Sequence, residues 1–179
     1  MLLKTGFTND YIISNYAIYN TYVIGLLIVP TFLLGAIGTS MLPEISKNIN
    51  NKAKVKRLFK KTMIFSLIIG VFSNIVLYFS CDFILNLLFN TTDGCNYIRF
   101  LAPFFTIFYF ESPLSSILQA YNMTGYIMKT TIIGVIIKLV SLTLLSLFHI
   151  GIYALILSEV INIFYVVIGN YIKVKQILK

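Results

Sequence analysis

Charge is what this sequence has least of. Only 11% of its 179 residues are charged, and just six are acidic; an ordinary soluble domain carries about 25%. There is one histidine and no tryptophan. With acids so few and so scattered, no pair of aspartates shares a helix face. HExxH, GxSxG and Walker-type phosphate loops are all absent, so the residues support no enzyme and imply no cofactor or metal. The two cysteines, Cys81 and Cys95, lack CxxC or metal-ligand spacing. They read as two free thiols in preference to a disulfide, although both fall near the outer surface in the topology below. The first 15 residues hold no continuous apolar run of the signal-peptide kind and read as a polar loop.

What is present is grease. Hydrophobic residues make up 58% of the chain and the mean hydropathy is +0.88. That much apolar surface does not fit inside one water-soluble core of this size, so the chain reads as an all-α integral membrane protein. Spanning a bilayer takes about 20 apolar residues, and five stretches qualify: 16–42, 62–80, 97–121, 127–148 and 152–171. Cys81 and Asp82 interrupt the second of them. Between the first two lies 44–61, EISKNINNKAKVKRLFKK, with seven of the fourteen basic residues. The excess of Lys and Arg marks that loop as cytoplasmic. Lys129 and the tail lysines Lys173, Lys175 and Lys179 fall on the same side, which puts the N-terminus outside and the C-terminus in the cytoplasm. The net charge of +8 is then a matter of topology and lipid headgroups. No pattern of nucleic-acid recognition accompanies it.

Three ionisable residues lie deep in these spans. Glu111 lies thirteen residues before Thr124 and Lys138 fourteen after it; Lys138 lies eleven before His149 and Glu159 ten after. At about 1.5 Å per residue the three sit at nearly one height on consecutive helices. Helical spacing adds polar neighbours: Glu111, Ser115, Gln119 and Asn122 on one face, Thr131, Gly134, Lys138 and Ser141 on the next, Glu159, Asn162 and Gly169 on the last. A charge at the bilayer centre costs roughly 3 kcal/mol or more, so such faces belong toward other helices or a watery cavity. Lys138 can attract an anionic group there, or form a neutral ion pair that only fixes packing. Both readings stand at this point.

Four stretches carry a resemblance: LLKTGFTNDYIISNYAIYNTYVIGL, VPTFLLGAIGTSMLPEISK, LAPFFTIFYFESPLSSILQAYN, and IIGVIIKLV followed by Gly151-Ile152-Tyr153-Ala154. In this order they resemble the C-terminal lobe of the polysaccharide-biosynthesis and stage V sporulation protein B-like exporters. These share a superfamily with the multidrug and toxin extrusion transporters and the lipid II flippases. The resemblance implies a partial lobe of a two-lobe carrier that moves lipid-linked saccharides outward across the bacterial cytoplasmic membrane. Its partners would be membrane lipids, a polyprenyl-diphosphate-linked saccharide, and a complementary chain supplying the missing lobe. Lys138 falls on the family's lysine in an Ile-Lys-Leu context and Gln119 on its glutamine after Ile-Leu; Glu111 stands where the family pattern has an uncharged glutamine. The expected transport residues are therefore Lys138, Glu111, Glu159 and Gln119. Five helices are fewer than the twelve to fourteen the resemblance implies, and Met1 opens inside what resembles a loop, so the expectation is a truncated or split chain. The alternatives are a cation-coupled multidrug exporter, with Glu159 carrying the coupling proton, and a non-transporting helix-packing module.

Overall fold

The computed structural model describes Gly6 and residues 8–179. The rest of the expected N-terminal loop, Lys4 included, lies outside the described residues. Helix α1, Asn9–Ala17, starts within that expected loop because Thr8 caps it, its hydroxyl accepting from the Tyr11 amide at 3.3 Å. A π-helical turn, Ile18–Ile24, joins it without a break to α2, Gly25–Lys47. Pro30 lies inside α2 and offers no amide to the ladder.

The basic loop expected at 44–61 is mostly helix. Only 48–51 turns the chain; Asn51 then caps α3, Lys52–Phe89, by accepting from the Lys54 amide at 3.0 Å. This 38-residue helix is about 57 Å long, nearly twice the roughly 30 Å of hydrocarbon. Its first three turns carry six basic residues beyond the apolar section. Asp82 does not interrupt it, because its carboxylate pairs with Arg99 at 2.7 Å on the neighbouring helix.

Asn90 and Gly94 take left-handed backbone at the two ends of the next turn, and α4, Cys95–Phe108, returns antiparallel to α3. This return places Cys95 opposite Cys81, with Cα atoms 5.7 Å apart, and the sulfurs are joined. The expectation of two free thiols is thus corrected. It placed the end of the span at Ser80, whereas α3 runs two turns further, so the returning helix begins level with Cys81.

The third apolar stretch is two helices rather than one. It breaks at Tyr109 and Phe110, and α5 then covers Glu111–Ala120. Pro113 is responsible, since it has no amide to give Tyr109; near the start of α5 that missing donor does no harm. Helix α6, Thr124–Leu145, ends in a short 3-10 turn, and α7, Tyr153–Ile177, closes the chain.

These helices form five segments long and apolar enough to cross a membrane. The bundle packs through α2 on α5, α3 on α4, α6 on α7, and α4 and α5 on α7. Leu27, Leu34, Leu101, Leu114, Ile117 and Ile156 form the centre, each no more than 1% exposed. Outward lie Phe32, Phe72, Phe79, Phe83 and Phe148, each at least 68% exposed. Those rings on a helix bundle are a lipid-facing surface.

Candidate functional site

Helices α6 and α7 approach closely because Gly134 has no side chain. A Cβ there would sit 2.5 Å from Asn162 Oδ1 and 2.7 Å from Val166. One turn along, the seam holds the ion pair of Lys138 with Glu159. Of the two glutamates level with the lysine by residue count, the structure gives it Glu159. The pair is not sealed: the lysine side chain is 29% exposed and the glutamate 17%. Ser141 donates to the Lys138 carbonyl at 3.0 Å, spending its hydroxyl on the helix itself.

The π-helical turn contributes a residue that sequence spacing misses. Tyr19, 3% exposed, faces Glu159, its hydroxyl short of ideal hydrogen-bond geometry. The carboxylate thus has a lysine and a phenol around it, two donors for one acceptor group.

Glu111 is elsewhere. It opens α5 at the break in the third span and lines a cavity of about 200 Å³ with Thr31, Leu34, Phe108, Tyr109, Ser112 and Ser115. Pro113 and the break turn it toward α2 instead of α6. No ion pair or hydrogen bond to its carboxylate occurs among the described residues. The cavity owes its shape to contacts on α2 and α3. The Tyr109 hydroxyl donates to the Leu27 carbonyl at 2.8 Å, and the Ser112 hydroxyl to Leu34 at 2.7 Å. Gly38 lets α5 in: a Cβ there would lie 2.6 Å from the hydroxyl oxygens of Ser112 and Ser116. Gly70 on α3 does the same for the Tyr109 ring, which would meet a Cβ at 2.6 Å.

Gln119, the fourth expected residue, is exposed on the last turn of α5. It joins neither the ion pair nor the Glu111 cavity. Thr131 is likewise exposed, bonding back to Ile127 at 3.0 Å. The single predicted midplane cluster is therefore two places: Lys138, Glu159 and Tyr19 in one, Glu111 among hydroxyls in the other. No group of three or more His, Cys, Asp or Glu able to hold a metal occurs among the described residues.

Residues 16–144, which include α2 to α5 and nearly all of α6, match the MatE family model. The chain belongs to the MatE family. It is also 28% identical to stage V sporulation protein B of Bacillus subtilis (strain 168) over 127 residues, 70% of this chain and 24% of that protein. The chain therefore spans about a quarter of the length of that relative. No solved structure matches it. As a MatE-family chain with five apolar helices it is a multi-pass integral membrane protein. The match takes in Lys138 and Glu111 but ends before Glu159.

Proposed function

We propose that this chain supplies part of one lobe of a flippase-type carrier that exports a lipid-linked saccharide across the bacterial cytoplasmic membrane. The observation that carries the reading is the partly exposed Lys138–Glu159 pair with the Tyr19 hydroxyl beside the carboxylate. Here the lysine stays accessible enough to exchange its carboxylate for a phosphate oxygen, and Tyr19 is placed to take up the released Glu159. A diphosphate-linked saccharide presents such oxygens, and alternating access asks for a partner that can be exchanged. The chain inserts with its basic end, at 48–61 and the tail, in the cytoplasm. A complementary chain or segment faces the cavity from the other side, because five helices do not build two lobes.

The Glu111 cavity favours a second reading, a cation-coupled exporter of the same superfamily. An unpaired carboxylate among the hydroxyls of Thr31, Ser112 and Ser115 is suited to a proton or a small cation. The two readings separate in one experiment. Proteoliposomes holding the chain together with the missing helices are assayed for flipping of a polyprenyl-diphosphate oligosaccharide and for ion-driven drug efflux. Flipping lost in Lys138→Ala and retained in Glu111→Gln supports the flippase. Efflux lost in Glu111→Gln supports the coupled exporter. No transport in either assay by a correctly inserted assembly leaves a helix-packing module.

A further inference from the structure

At the basic end of the bundle α6 and α7 part slightly and leave a groove of about 500 Å³, within the range of small-molecule sites. Its walls are apolar: Ile133 from α6, and Phe164, Tyr165, Ile168 and Ile172 from α7. Its rim is not. Lys129 lines the mouth, and Lys173 holds its ammonium 5.5 Å from the centre of the Tyr126 ring. That ring is fixed in place, because the Tyr126 hydroxyl donates to the Gly169 carbonyl at 3.0 Å. Gly169 in turn admits Thr130, whose methyl would be 3.2 Å from a Cβ there.

No carboxylate pairs with Lys129 or Lys173 among the described residues. The nearest acid along α7, Glu159, is ten residues from Gly169 and tied to Lys138; that is about 15 Å away. Lys129 is the sixth residue of α6, and Lys173 lies four before the end of α7. Both therefore stand about two turns or less inside the helix ends, at the boundary between headgroups and acyl chains.

We infer that this groove holds one anionic glycerophospholipid, with its phosphate between Lys129 and Lys173 and an acyl chain along Ile133, Ile168 and Ile172. The charge selects the class. An uncharged tail finds apolar surface anywhere on the bundle, but among the described residues only here does a fixed aromatic ring bring an unpaired lysine over the mouth of an apolar groove. With the basic end in the cytoplasm, the lipid comes from the inner leaflet, where basic pockets between membrane helices hold anionic headgroups.

The absence of tryptophan makes the test direct. A Tyr165→Trp variant of the whole chain, in detergent micelles, reports on the groove alone. Its fluorescence is titrated with phosphatidylglycerol and phosphatidylcholine carrying the same brominated acyl chains. The expected result is quenching by phosphatidylglycerol at roughly 25-fold lower concentration, about fivefold for each of the two lysines near the surface. That preference disappears in Lys129→Gln/Lys173→Gln and survives Lys54→Gln/Lys56→Gln on α3. Native mass spectrometry of the chain without the tryptophan gives the second measurement, expected to retain phosphatidylglycerol over phosphatidylcholine in the same pattern. Equal quenching by both lipids overturns the inference. So does a preference lost equally on changing the α3 lysines, which would assign it to the diffuse surface potential, and so does displacement of the lipid by a polyprenyl phosphate.

Discussion

At the scale of the residue, Lys138 and Glu159 offer a way to separate structure from use. Removing one partner of a buried ion pair leaves an uncompensated charge, at a cost of roughly 3–5 kcal/mol. Because the Lys138 side chain is 29% exposed, Lys138→Ala is expected at the low end, about 3 kcal/mol, read from unfolding in detergent. Replacing both, Lys138→Met with Glu159→Leu, should restore most of that stability while leaving transport absent. A double variant that transports would show the pair to be packing alone. The juxtaposition itself is legible in the sequence, since both residues lie ten or eleven positions from His149 and antiparallel neighbours share depth. Glu111 is not legible in the same way. Counting from Thr124 gives Glu111 its depth but not its face, and α5, set off from α4 by the break at Tyr109 and Phe110, turns that face toward α2. Tyr19 escaped because nothing in the spacing of the first apolar stretch relates it to Glu159, which it faces from a π-helical turn.

At the scale of the element, Tyr109 is the wedge that shapes the third span. It is 1% exposed, bonds Leu27 on α2 and presses its ring into the space left by Gly70 on α3. Tyr109→Phe removes one hydrogen bond and should cost about 1 kcal/mol; Tyr109→Ala removes the ring and should cost roughly 3–5 kcal/mol. The ratio is checked by equilibrium unfolding of both variants in one detergent. If the two losses are equal, the hydroxyl and not the ring holds the helices. The five apolar stretches and their order could be read from composition, because bilayer thickness sets a minimum length that these stretches exceed. Their ends could not. Helical backbone continues through Lys52 to Lys61 and through Asp82 because Asn51 supplies a cap and Arg99 a counter-charge, and neither partner is visible from hydropathy.

At the scale of the whole molecule, the Cys81–Cys95 disulfide ties α3 to α4 across a sequence separation of 14. Closing a loop of about 15 residues stabilises by up to about 3 kcal/mol through the unfolded chain. Unfolding with and without reductant should differ by no more than that, and Cys81→Ser should match the reduced protein. Disulfides persist in oxidising compartments, which supports the orientation proposed above, with this end outside the cell and the lysines opposite. A membrane-impermeant thiol reagent applied to intact cells should label Thr92→Cys, exposed in the turn beside the disulfide, in a Cys81→Ser/Cys95→Ser background. Labelling only after the membrane is opened would invert the orientation.

The broken third span has a further consequence for the assembly. Its first half, α4, is fastened to α3 by the disulfide and by the Asp82–Arg99 pair. Its second half, α5, is fastened to α2 through Ser112 and the gap at Gly38. One crossing of the membrane therefore answers to two different neighbours, and the two halves meet at Tyr109 and Phe110. Tilting α2 against α3 would bend the chain there and widen or pinch the chamber around Glu111, which would link occupancy of that chamber to the tilt of the bundle.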